Sequence, residues 1–121
     1  MKICITAQGK DTESQVDPRF GRCQNFIIVD TDTGESKIMD NMNKDGMGGV
    51  GIQSGQMMAE NGVKAVLTGN VGPNAFQTLR AAGIQIITGV SGKVKDAVEK
   101  YKKGEYSSSE KPSVDSHFGA Q

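Results

Sequence analysis

Val63-Lys64-Ala65-Val66-Leu67-Thr68, followed at once by Gly69-Asn70-Val71-Gly72-Pro73-Asn74, is the stretch that decides the fold. Its first six residues are short, β-branched and nearly all apolar, which describes a strand covered on both faces by helices. The glycine-rich turn then leads into a helix with Pro73 near its first position, where the missing N–H costs nothing. Ala75, Phe76, Leu79 and Ala82 give that helix one apolar face, and Gly83 ends it. Ile84 to Thr88 is again short and apolar. Strand, crossover helix and strand in this order predict a right-handed parallel unit.

Working upstream, Ile52 to Asn61 reads as a second crossover helix that presents Ile52, Gly55, Met58 and Ala59 to one face and stops at Gly62. Before it, Lys2–Ala7 and Phe26–Asp30 read as strands, and Ser36–Met42 as a weaker one. Thr31-Asp32-Thr33-Gly34 is a hairpin turn between the last two. Downstream, Ser91 is placed to cap a third helix with the stripe Val94, Ala97, Val98 and Tyr101, ending at Gly104. Residues 105–121 have no apolar period and predict a mobile tail after a single domain over 1–104. The order β-β-β-α-β-α-β-α predicts an α/β layered fold of the ribonuclease-H type. Its mixed five-stranded sheet has order 3-2-1-4-5, with strand 2 antiparallel and helices on both faces.

Composition removes several function classes. Lys plus Arg and Asp plus Glu are 14 each, so no net field recruits nucleic acid or an anionic membrane. There is no Trp and no apolar run long enough to span a bilayer. With no export signal, a reducing cytoplasm is expected, with Cys4 and Cys23 free. The single His, His117, lies in the tail, so the body has no histidine base. Strand 1 carries no carboxylate for a two-metal nuclease, and no Gly-Lys-Ser/Thr phosphate loop is present. A non-enzymatic role is expected.

The predicted topology gathers the loops 8–22, 41–51, 69–74 and 89–92 at the carboxyl edge of the sheet, where open α/β sheets bind ligands. Three helix N-termini are expected there, and their N–H groups favour anions. Two of the three arginines, Arg19 and Arg22, flank Phe20-Gly21 in a loop shaped by Pro18. They serve either an anionic ligand or structural ion pairs with Asp17 or Asp30. Candidate ligand-binding residues are Arg19, Phe20, Gly21, Arg22, Met47, Gly48, Gly49, Gly51, Gly69, Asn70, Gly72 and Asn74. Cys23, Met42, Met47, Met57 and Met58 are soft donors in or beside these loops. Cys23 and Met47 are the candidate metal ligands, with burial as the alternative for Cys23. Met57 or Met58 is expected to pack under the sheet.

Val16-Asp17-Pro18-Arg19-Phe20-Gly21-Arg22-Cys23 resembles the FGR signature of the dinitrogenase iron–molybdenum cofactor biosynthesis family. Gly48-Gly49-Val50-Gly51-Ile52 with Met58-Ala59-Glu60-Asn61-Gly62-Val63 is similar to the same family. So is Gly69-Asn70-Val71-Gly72-Pro73-Asn74-Ala75-Phe76 with Leu79, Ala82, Gly83 and Ile84. The resemblance covers residues 1–104. It implies the ribonuclease-H-like fold and a small carrier or store for a metal–sulfur cluster, either iron–molybdenum cofactor or a precursor. In the orange-protein branch it implies a molybdenum–copper sulfide cluster held without covalent attachment. No cysteine-rich radical domain precedes the module in this sequence, so carriage rather than synthesis is expected. The expected mode is noncovalent or thiolate-assisted, in a monomer that meets cluster donor or acceptor proteins. The alternatives are a protein-interaction or regulatory module of the same fold, or a binder of a small oxyanion.

Overall fold

In the computed structural model, residues 1–42, 46 and 49–114 are described. Strands β1 (Lys2–Ala7), β2 (Asn25–Asp30), β3 (Ser36–Asp40), β4 (Val63–Leu67) and β5 (Gln85–Ile87) form one sheet of order β3-β2-β1-β4-β5. β2 is antiparallel to both neighbours, whereas β1, β4 and β5 run parallel. The mixed α/β sheet expected from the sequence is the one observed.

The pleat divides the core in two. Cys4, Phe26, Ile28, Val66 and Ile86 face α1 (Val50–Glu60) and α2 (Pro73–Ala81), meeting Met58, Phe76 and Leu79. Ile3, Ile5, Ile27, Leu67 and Ile87 face α3 (Val94–Lys102), meeting Val94, Ala97 and Val98. Burial of β4 on both faces follows from its central position between β1 and β5. Met58 is fully buried, and Met57 packs beside it.

Three local expectations are corrected. First, α1 begins at Val50 and buries Val50, Gly51, Ser54, Gly55 and Met58, leaving Ile52 38% exposed and Ala59 outside. The cause is close packing on α2: a Cβ on Gly55 would stand 2.8 Å from Thr78 Cγ2, and one on Gly51 3.0 Å from Ala75 Cβ. Glycine lets the helix axes approach, and this sets the inward face in place of the apolar side chain at Ile52. Ala82 likewise lies outside, as the C-cap of α2.

Second, Ser91 does not cap α3. Lys93 is its N-cap, and the first N–H groups are satisfied by backbone: Val94 N donates to Ser14 O (2.9 Å) and Lys95 N to Thr12 O (2.9 Å).

Third, the chain after Gly104 does not leave the domain at once. Tyr106 packs on the α3-side core, and Ser109 N donates to Ile86 O (2.7 Å) on β5. Ser113 N reaches Val71 O at 3.0 Å. Residues 105–114 therefore form a strap held by hydrogen bonds, which need no apolar period and so leave none in the sequence. Residues 115–121, including His117, lie outside the described part of the expected tail.

Candidate functional site

The loop between β1 and β2 is folded back over the carboxyl ends of the strands. Asp17 N donates to Thr6 O (2.8 Å) and Val16 N to Gly92 O (2.8 Å). Asp17 is 2% exposed, and its carboxylate accepts Arg19 N (3.1 Å) and Gln24 N (3.2 Å), closing the turn from within. Phe20 points inward with no exposed surface, its ring 5.8 Å from that of Phe26. This inward anchor fixes the arginines on either side of it.

The same turn is tied to its neighbours. Phe20 N donates to Asn70 O (3.1 Å), and Asn70 Nδ2 donates to Pro18 O (3.2 Å). Gly69 lies so close beneath that a Cβ there would be 2.6 Å from Pro18 Cα. On the other side, buried Asn41 donates from Nδ2 to Gly21 O (2.7 Å) and Cys23 O (2.9 Å). Arg22 donates to Gly46 O at 2.6 Å. The loops 15–24, 41–51 and 69–72 therefore hold one another.

Beneath the turn two helix starts meet. Gly51, in the first turn of α1, touches Ala75 in the first turn of α2. Gly21 sits on Gly51, at φ +96°. Gly49 and Gly72 are the N-caps of α1 and α2, and neither helix has a side-chain cap or an acidic residue in its first turn. Both therefore keep positive N-terminal ends. α3 does not join them, because its first N–H groups are used by Ser14 O and Thr12 O and Asp96 lies in its first turn. The edge offers two such ends where the sequence suggested three.

The Arg19 side chain is 40% exposed; its Nε lies 3.9 Å from Asp17 Oδ1, and its backbone bridges to Asn70. Asp30, the other acid considered, is instead 3.6 Å from the N-terminal ammonium, at the far end of β1. Asn74 is exposed at the start of α2. Met47 and Gly48 lie outside the described residues.

Cys23 is corrected as a metal ligand. It has no exposed surface and packs in the core with Phe20 and Phe26. Burial, reinforced by the Asp17 carboxylate, pushes its thiol far above the ordinary range, which disfavours the thiolate form that a metal takes. Among the described residues, no three His, Cys, Asp or Glu side chains converge as a metal set.

Sequence reasoning underrated two residues at this edge. Met42 is 87% exposed at the rim of a cleft of about 480 Å³ that also takes in Gln8, Lys10 and Gln24. Ile52 is exposed on the first turn of α1. Both are apolar side chains left outside the core, a signal that appears only once the core is known.

Comparison with known proteins gives the lineage. Residues 1–104 match the family described as dinitrogenase iron–molybdenum cofactor. The chain belongs to that family. It is similar to the apo form of the orange protein from Desulfovibrio gigas, with 37% identity, a TM-score of 0.90, and 93% of this chain and 96% of that one covered. The NMR structure of a candidate NifB protein from Thermotoga is 34% identical with a TM-score of 0.78, covering 88% and 91% of the two chains. An uncharacterised protein of Methanocaldococcus jannaschii is 31% identical over 107 residues, covering 86% of this chain and 87% of its own. The family's fold is the fold described above, and the orange-protein branch is supported. No helix among the described residues is long and apolar enough to cross a membrane.

Proposed function

We propose that this protein binds and carries, or stores, a preassembled anionic metal–sulfur cluster at the carboxyl edge of its sheet, without catalysing a reaction on it. The observation that carries the reading is the stacking of Gly21 on Gly51 and of Gly51 on Ala75. It brings the Arg19–Arg22 turn onto the meeting point of two helix N-termini that have glycine N-caps and no side-chain cap.

A thiometallate is a polyanion whose surface is large, soft sulfide. It is held by several modest N–H donors, one or two guanidinium groups and apolar or thioether contact. The turn supplies the guanidinium groups, the helix starts supply the N–H dipoles, and Met42 and Ile52 supply exposed apolar surface near the same edge. With Cys23 buried, the mode is noncovalent. Kinship with the orange protein favours a molybdenum–copper sulfide cargo, and the family as a whole favours iron–molybdenum cofactor or a precursor. Cytoplasmic exchange with cluster donor and acceptor proteins completes the proposal.

The test is titration of the apo-protein with tetrathiomolybdate and copper, followed by charge-transfer absorbance and amide shifts. Uptake of thiomolybdate but not molybdate is expected, with shifts at residues 15–23, 49–52 and 69–75 and weakening by salt. A missing chromophore, or shifts scattered over the lysines of α3, overturns it.

A further inference from the structure

The strap over residues 105–114 ends at the ligand edge. Its last tie is reciprocal: Ser113 N donates to Val71 O at 3.0 Å, and Val71 N donates to Ser113 Oγ at 2.8 Å. Earlier ties hold the strap on course, because Ser109 meets β5 and Arg80 Nη1 donates to Glu110 O at 3.2 Å. Ser113 is thus delivered from the far side of the molecule to one specific loop residue.

Val71 is the centre of that loop. It has no exposed surface, and it lies between Asn70, whose carbonyl receives Phe20 N, and Gly72, the N-cap of α2. The peptide that carries the Val71 N–H is the peptide whose carbonyl is Asn70 O. The hydroxyl that accepts from one side of this unit therefore fixes the direction of its other side. A rotation of that plane would move the anchor of the Arg19–Phe20 turn. Gly72 follows directly, and its carbonyl accepts Phe76 N at 3.0 Å in the first turn of α2.

We infer that Ser113 is a positioning residue of the cargo site, acting through Val71 to set both the arginine turn and the start of α2. The assignment to cargo rests on the proposed function, but the coupling itself does not. The C-terminal strap is in this view part of the binding apparatus, although its composition is that of a solvated tail.

The test compares Ser113→Ala and Ser113→Thr with the wild type in the full chain. In the apo-protein, amide exchange and shifts are followed first. In Ser113→Ala, Val71 N is expected to lose about tenfold in protection, the scale of one hydrogen bond, with shift changes reaching Phe20, Asn70 and Gly72. Ser113→Thr keeps the hydroxyl and is expected to restore the wild-type pattern. Changes confined to residues 107–114, or no rescue by threonine, overturn the coupling.

In the second arm, protein loaded with tetrathiomolybdate and copper is diluted and loss of the chromophore is timed. Release from Ser113→Ala several-fold faster than from both wild type and Ser113→Thr supports the cargo role. Equal release rates overturn it. If wild-type protein takes up no chromophore, the cargo reading of both sites falls, while the apo-protein arm still decides the coupling.

Discussion

Gly21 rests on Gly51 so closely that a Cβ on Gly21 would lie 3.4 Å from Gly51 Cα and 3.6 Å from Gly51 N. The contact joins the arginine-bearing turn to the first turn of α1, and Gly21 adopts φ +96°, a region closed to most side chains. Gly21→Ala therefore meets strain and crowding together. A loss of about 1–2 kcal/mol is expected in chemical denaturation, with weaker cluster uptake. Unchanged stability would mean that the turn rests on Gly51 only loosely.

Arg19 and Arg22 are expected to act on the cargo more than on the fold. The 3.9 Å contact of Arg19 Nε with Asp17 is made by a half-exposed side chain, and such pairs contribute about 0–1 kcal/mol. Arg19→Gln is expected to leave the melting temperature near wild type while weakening cluster binding by about 1.5–3 kcal/mol, the scale of a charge-assisted hydrogen bond. Arg22→Gln also loses the bond to Gly46 O, so a larger stability cost accompanies its binding loss. Denaturation and cluster titration on the same variants separate the two effects.

Truncation after Gly104 is expected to destabilise the domain by about 1–3 kcal/mol, net of the entropy released by the strap. The ties of Ser109 and Ser113 and the packing of Tyr106 are lost together, and the edge of β5 is uncovered. An exposed edge also favours association, so size-exclusion profiles should broaden. A melting temperature identical to that of the full chain would show that these contacts contribute nothing.

The two thiols give a pH prediction. Burial raises the pKa of both Cys4 and Cys23 above the ordinary 9.0. In the unfolded chain they ionise near 9.0, whereas in the native state they stay protonated, so the unfolded state binds fewer protons above that pH. Stability is fully present below 9.0 and falls as pH rises beyond it. Denaturation midpoints at pH 8 and 10 check this, and Cys4→Ala/Cys23→Ala should flatten the slope. Thiol reagents should react at pH 8 only after unfolding.

The order of strands and helices was legible because its signals are local. β4 and β5 are short apolar runs, α2 shows a helical apolar face opened by Pro73, and the hairpin turn at 31–34 joins β2 to β3. Connection rules then left few topologies, and the observed order is among them. The shaped turn that carries both arginines was legible for the same reason, since Pro18, Phe20-Gly21 and both arginines are contiguous.

Tertiary structure decided which atoms are exposed at the carboxyl edge, because burial and helix phase depend on partners distant in the chain. Ile52 has the character of a core residue, yet the glycine contact between α1 and α2 turns it outward. Cys23 has the character of a ligand, yet Phe20 and Phe26 enclose it and Asn41 holds its carbonyl from the next loop. The third helix start was lost to the carbonyls of Ser14 and Thr12, some eighty residues earlier. Ser113 carries no signal at all in sequence, because a serine in a polar run acquires its role only when a distant Val71 N–H is brought within 2.8 Å. Sequence by itself determined the layers and which loops gather at the carboxyl edge of the sheet, since propensity, apolar period and turn chemistry act over a few residues. Only the folded chain could allot the donors at that edge, because a hydrogen bond spent between remote segments is no longer available to a ligand.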